Sequence, residues 1–277
     1  MICPKCTSIL IKKEGTRKRK NGTIQEYSCK SCNKWFTVPI EESLKDGRES
    51  IFLEDVEPGN ILEYKTDKVF RLHCATDIHH GANEHHQEKF DEFIEEVDSD
   101  PAARWIMNGD NIELIPPNYK ISQRGQSMEP DEQHISFIKR VEHIADKLLF
   151  IRGGNHDMIR SVNILGFDVS KVMADILRVP YFRMPGYTKI RVGNSKYFFV
   201  SGHGKSGGKN GDLELDKMAA VYSDGDVFFL GHNHRWYIRG GSFLEYADYA
   251  RYSFYPIVRT GWATVEFSDD KIRAWTN

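Results

Sequence analysis

Long apolar runs are missing from this sequence: nothing in its 277 residues approaches the ~20 consecutive apolar positions that cross a bilayer. The opening residues Met1-Ile2-Cys3-Pro4 also lack the apolar core of a secretory signal. Both absences argue against a membrane or exported protein and set the expectation of a cytoplasmic one. No internal repeat or low-complexity tract is found, which argues against solenoids and fibrous arrays. Cysteine is scarce, with five in the chain. In a reducing compartment paired cysteines more often bind metal than form disulfides. What remains is ordinary for a soluble globular protein, 40% hydrophobic and 28% charged. The length suits one sizeable domain and a small appendage.

The small net charge of −2 hides an asymmetry. Residues 1–40 carry nine Lys and Arg against two Glu, a net of +7, which leaves −9 on the remainder. A basic head on an acidic body points to a polyanionic partner for the head. The same head holds Cys3-Pro-Lys-Cys6 and Cys29-Lys-Ser-Cys32, two Cys-x-x-Cys knuckles separated by 22 residues. Each knuckle presents two thiolates from a tight turn, and two of them complete a tetrahedral structural zinc site. So short a segment cannot bury enough apolar surface to fold alone, and the metal supplies the difference. The fifth cysteine, Cys74, lies in an apolar run and reads as core. Between the knuckles Arg17-Lys-Arg-Lys20 leads into Asn21-Gly22, a hairpin turn signal, with Tyr27, Trp35 and Phe36 offering aromatic faces. The stretch from Cys3 to Thr37 resembles the zinc ribbons of transposase-like and transcription-related proteins. Such ribbons commonly bind nucleic acid, chiefly through phosphates and therefore salt-sensitively, while many bind protein or only stabilise a terminus. Residues 39–68, rich in Glu and Asp and carrying Pro39, Pro58 and Gly59, with only one short strand-like piece around Ile51-Phe52-Leu53, read as a linker between a 1–38 ribbon and a 69–277 domain.

From Val69 onward a motif recurs. Val69–Thr76 leads into Asp77-Ile-His79, and Trp105-Ile-Met107 leads through Asn108-Gly109 into Asp110. Leu148–Ile151 leads through Gly153-Gly154 into Asn155-His156-Asp157. Tyr197–Val200 leads through Ser201-Gly202 into His203, and Val227–Leu230 through Gly231 into His232-Asn-His234. Short apolar runs that stop at Gly and then present Asp, Asn or His are buried strands delivering ligands at their ends. Helical periodicity lies between them over 86–97, 131–147, 168–177 and 213–222, so the class is α/β, with the functional crevice at the strand carboxyl ends. So many charged groups on one rim require cations. Mixed Asp, His and Asn donors suit Mn, with Fe or Zn as alternatives, better than Ca.

The five motifs, Asp77-x-His79, Gly109-Asp110-x-x-Glu113, Gly154-Asn-His-Asp157, Gly202-His203 and Gly231-His-x-His234, resemble those of the calcineurin-like metallophosphoesterases, in that family's order. The resemblance covers roughly residues 69–277 and implies a four-layered sandwich of two mixed sheets flanked by helices. It implies one metal held by Asp77, His79, Asp110 and His234, and a second held by Asp110, Asn155, His203 and His232. It makes His156 the catalytic histidine, stabilising the transition state and protonating the leaving oxygen, with Asp157 orienting it. Glu113 reads as a supporting carboxylate. Lys205, in a polar glycine-rich loop after His203, reads as a phosphate contact or merely as part of a flexible loop. His80, His85 and His86 read either as substrate contacts or as a loop and a helix start. Residues 116–133, with Lys120 and Arg124, read as a mobile loop over the metals. The tail, with Thr260–Phe267 and Ile272–Trp275 around Asp269-Asp270, reads as a hairpin completing the second sheet.

These features set the expectation of a metal-dependent phosphodiesterase acting on nucleic acid, similar to the family's DNA-repair nucleases but with little room for their capping domain. One alternative is a phosphomonoesterase acting on phosphoproteins or small esters, with the ribbon as a docking element. The other is a non-catalytic zinc-ribbon binding protein.

Overall fold

The computed structural model describes residues 3–6, 10–19, 22–40, 50–54, 61–117, 119, 122–204, 211–232 and 260–277. The chain divides into two compact units, Met1–Arg48 and Glu49–Asn277.

In the first unit β1 (Ile11–Arg19), β2 (Gly22–Cys29) and β3 (Trp35–Ile40) form an antiparallel sheet in that order. Arg19 lies opposite Gly22, as a hairpin requires, while Lys20 and Asn21 of the expected turn lie outside the described residues. Asn33 takes a left-handed conformation (φ 54°) and its N–H donates to the Cys29 carbonyl at 2.9 Å, closing the second knuckle. Tyr27 stacks on Phe36 across the sheet, ring centroids 5.6 Å apart.

The second unit is mixed α/β, with two sheets among its described residues. One has the order β12-β11-β10-β5-β4, built from β4 (Ser50–Glu54), β5 (Ile61–Thr66), β10 (Gly186–Val192), β11 (Ser195–Gly202) and β12 (Val227–Leu230). The other has the order β14-β13-β6-β7-β8-β9, built from β6 (Phe70–Ala75), β7 (Ala103–Asn108), β8 (Leu148–Arg152), β9 (Tyr181–Phe182), β13 (Ala263–Phe267) and β14 (Ile272–Thr276). All five apolar runs that end in a ligand motif are strands. Between the strands lie α1 (Gln87–Ser99), α2 (Pro130–Val141), α3 (Ser161–Leu165), α4 (Val169–Leu177) and α5 (Gly211–Val221).

Two expectations need correcting. The stretch 39–68 is not simply a linker, because β4 and β5 within it pair antiparallel with each other and β5 runs parallel to β10. The strand-like piece at Ile51–Leu53 is β4, whereas acidic composition masked β5, whose second partner β10 lies more than a hundred residues away. The tail hairpin β13–β14 pairs with β6, joining the sheet of the first three ligand motifs rather than that of the last two.

Side-chain alternation explains why the central strands read as continuous apolar runs. On β7, Trp105 and Met107 pack with Phe93 of α1, Phe137 of α2 and Met173 of α4. Ile106 points the other way, into a cluster shared with Tyr64 of β5, Ile190 of β10 and Phe199 of β11. A third cluster joins Val200 of β11 and Leu230 of β12 to Leu215 and Met218 of α5. Each fully buried large apolar side chain contributes about 1.5–3 kcal/mol. No helix among the described residues is long and apolar enough to cross a membrane.

Candidate metal centres

In the first unit the four knuckle sulfurs converge. Cys3 Sγ and Cys32 Sγ are 3.6 Å apart, as are Cys6 Sγ and Cys29 Sγ. A tetrahedral zinc with Zn–S of about 2.3 Å needs sulfurs roughly 3.8 Å apart, so the cluster fits the ion. Burial pushes the Cys29 thiol up, but N–H groups of Cys32 and Ser31 outweigh it and bring its pKa down to about 6. That favours the Cys29 thiolate, the form that binds metal.

In the second unit the loops after β6 and β7 continue to pair beyond the strands. Asp77 N–H donates to Gly109 O at 3.0 Å, His79 N–H to Asp110 O at 2.9 Å, and His80 N–H to Asn111 O at 3.0 Å. Asp77, His79, Asp110 and His232 all adopt left-handed backbone, with φ of 51°, 49°, 52° and 67°. Each such residue costs about 1–2 kcal/mol, and such strain gathers where surrounding structure must aim a functional side chain. Two glycines permit the close approach. A Cβ on Gly109, itself at φ +94°, would lie 2.6 Å from His203 Nδ1, and one on Gly154 would lie 2.2 Å from Asp110 N. Asn108 and Arg152, at the ends of β7 and β8, stitch this sheet to the next. Asn108 Nδ2 donates to Gly202 O at 2.8 Å, and buried Arg152 donates to Ser201 Oγ at 3.0 and 3.2 Å.

These constraints bring Asp77, Asp110, His203 and His232 into one group with metal-ligand spacing, and His79, Glu113 and His156 into another. Asp110 is fully buried; its Oδ1 accepts the His156 N–H at 2.7 Å, while its Oδ2 has no donor in hydrogen-bonding geometry among the described residues. Around that orphaned oxygen stand His203 Nε2 at 3.1 Å, and His79 Nε2, His156 Nε2 and His232 Nδ1 each at 3.9 Å. His203 makes the need for a cation explicit. Its Nδ1 must donate to Asn108 O at 2.8 Å, so its Nε2 faces two acceptors, Asn155 Oδ1 at 3.0 Å and Asp110 Oδ2. A proton or a metal must sit among them. His79 is set similarly, with Nδ1 donating to Glu113 Oε2 at 2.7 Å and Nε2 turned toward Asp77 Oδ1 at 3.9 Å. That is the carboxylate–histidine arrangement which fixes a ligand's tautomer. The donor set therefore fits divalent metal.

Not every expected role matches the geometry. Asp157 does not orient His156: its buried carboxylate accepts Asn111 N–H at 2.8 Å, Asn111 Nδ2 at 2.7 Å and Gly154 N–H at 2.9 Å. It clamps the two ligand loops together, and burial, then the nearby Asp110, raises its pKa. His156 is held instead by Glu113 O on Nδ1 at 2.7 Å and by Arg160 Nη2 on Nε2 at 3.0 Å. Of the neighbouring histidines, His80 bonds Ser136 at 3.1 Å, His85 bonds Ile78 O at 2.8 Å, and His86 caps α1. The described end of the 116–133 loop is tied down, Gln126 bonding both N–H and C=O of Ile115 at 3.0 Å. His234, Lys205 and Lys120 lie outside the described residues. Arg160, Arg152 and Asn111 are absent from the sequence-based reading; the one local signal was Arg160's position four residues after His156.

A stability prediction follows from the titration of this cluster. Burial pushes His79 and His203 down, but Asp77 and Glu113 raise His79 to about 10, and Asp110 and Asp77 raise His203 to about 9. In metal-free protein both are imidazolium at neutral pH. Because these pKa values are raised, their stabilisation is complete below the unfolded value of about 6.5 and is lost as pH rises through 9 to 10. Metal replaces those protons. Calorimetry from pH 6.5 to 10 should therefore find the midpoint of Mn-free protein falling by about 5–15 °C relative to Mn-loaded protein. Parallel curves would contradict the assignment.

No family model and no curated protein matches the chain.

Proposed function

We propose that the second unit is a dinuclear-metal phosphoesterase of the calcineurin-like kind, and that the chain is a phosphodiesterase acting on nucleic acid. The observation that carries this reading is the orphaned Asp110 Oδ2 ringed by four imidazole nitrogens. The succession of clusters from α1, α2 and α4 through both sheets to α5 fits the four-layered sandwich that the reading requires. Bound metals would lower the pKa of the attacking water and clamp phosphoryl oxygens during in-line displacement. Asp77, His79, Asp110, Asn155, His203 and His232 would hold them, with His234 completing the set by resemblance. Glu113 keeps His79 Nε2 available by binding its Nδ1–H. His156, with Nδ1–H spent on a backbone carbonyl, keeps Nε2 for the reacting phosphoester. Gly109 and Gly154 let the ligand loops touch.

The preference for nucleic acid rests on the first unit. The nine cations of its residues 1–40 and exposed Trp35, 59% accessible, suit a phosphate chain with bases stacked nearby. Tethering such a head to a phosphodiesterase core raises the effective concentration of polymer at the site. The test is a panel of single- and double-stranded DNA, RNA and a small phosphomonoester, assayed with Mn. Wild type should cut a polynucleotide. The triple variant Lys12→Glu, Lys13→Glu, Arg17→Glu should raise its KM on that polymer about 10–100-fold while leaving small-ester turnover intact. Turnover confined to the phosphomonoester would favour a phosphatase, and none at all would leave a binding protein.

A further inference from the structure

The strongest unassigned feature is Arg160, at the end of the π-helical turn Asn155–Arg160 that follows β8. Its side chain is only 6% exposed and is seated from several sides. Nη1 donates to Glu113 O at 2.7 Å and to Leu114 O at 2.9 Å, and the guanidinium lies over the Tyr119 ring, 4.7 Å from its centroid. Among the described residues no carboxylate hydrogen-bonds it: Glu113 Oε1 forms only a longer ion pair with Nη1 at 3.8 Å, and Glu113 Oε2 is taken by His79. Nε is buried without a hydrogen-bond partner among the described residues. A nearly buried guanidinium without a bonded anion is costly unless an anion is meant to arrive.

The direction in which it points names that anion. Since His156 Nδ1 must donate to Glu113 O, His156 Nε2 is an acceptor, and Arg160 Nη2 donates to it at 3.0 Å. That same Nε2 lies 3.9 Å from Asp110 Oδ2, at the heart of the metal cluster. The cationic fork is thus held beside the metal-ligand cluster, with one donor resting on an imidazole nitrogen. An anionic phosphoryl oxygen is the stronger acceptor. We propose that Arg160 is the phosphate anchor of this centre. A non-bridging phosphoryl oxygen takes over the Nη2–H, and His156 Nε2 is freed from that hydrogen bond. This rests on the phosphoester reading above, though it assigns a residue that none of the five motifs contains.

The test measures inorganic phosphate binding to Mn-loaded full-length protein by titration calorimetry. Arg160→Gln keeps a donor for the backbone carbonyls but removes the charge. It should weaken phosphate at least ~10-fold, with bound Mn and thermal midpoint close to wild type. Arg160→Lys, a point charge without the fork, should recover part of that loss. Unchanged phosphate affinity in a folded, Mn-loaded Arg160→Gln protein would overturn the proposal and make Arg160 a tie between the loop after β7 and the π-helical turn. If the Gln variant does not fold, Arg160→Lys decides, since it must still bind phosphate more weakly than wild type. Failure of the activity reading looks different: phosphate would still depend on Arg160, yet no phosphoester would be hydrolysed.

Discussion

Asp110→Asn is expected to strip the proposed dinuclear centre of its metals and to abolish turnover while the fold persists. The substitution is nearly isosteric, so what it removes is charge. Asp110 is fully buried and its carboxyl is held well below the usual range: burial pushes it up, but His203 and His156 outweigh this. An amide cannot replace it on both sides. Turned to keep its oxygen on the His156 N–H, it would aim an NH2 group at His203 Nε2 and the other imidazoles. Losing an outer partner of a metal ligand typically costs ~10–100-fold in affinity, and loss of a shared carboxylate should exceed that, about 10³-fold or more. Metal analysis after gel filtration, read beside circular dichroism, checks it. Two metals retained by a folded Asp110→Asn protein would remove Asp110 from the centre.

His156→Ala is expected to do the opposite, keeping metal and losing rate. Its imidazole is fixed at both nitrogens, by Glu113 O and Arg160 Nη2, and its backbone N–H, which survives the change, supports Asp110. Removing the side chain should therefore leave the ligand loops in register. A positioned acid–base group typically contributes ~10²–10⁴-fold, so kcat should fall by that amount with bound Mn unchanged. Phosphate should bind no more weakly than to wild type, because Arg160 loses a competing acceptor rather than its anchorage. A parallel loss of Mn would instead make His156 a ligand, grouped with His79 and Glu113 as its position also permits.

The sequence made the strand ends legible because buried strands combine two local signals, an apolar run and a glycine before a polar ligand. Trp105–Met107 with Gly109-Asp110 is the clearest case. Helices were equally visible where one stripe is apolar, as with Phe90, Phe93, Ile94 and Val97 of α1. Pairing between distant segments was not. β5 looks like acidic linker until β10 supplies its neighbour, and nothing local says that β13 will lie beside β6. Left-handed backbone at Asp77, His79, Asp110 and His232 was equally hidden, since no glycine marks it and tertiary contacts impose it. Asp157 was given the wrong neighbour for a related reason. Adjacency in sequence suggested His156, whereas the π-helical turn carries its carboxylate to Asn111 and Gly154. Arg160 went unseen because that turn, which brings residues 156 and 160 together, cannot be read from composition.

The most direct measurement is electron paramagnetic resonance on full-length protein reconstituted with Mn. The proposed centre predicts two Mn per chain beyond the ribbon zinc, magnetically coupled as expected for ions ~3.5–4 Å apart, with the coupling lost in Asp110→Asn. A single uncoupled Mn, or coupling that survives Asp110→Asn, would contradict it.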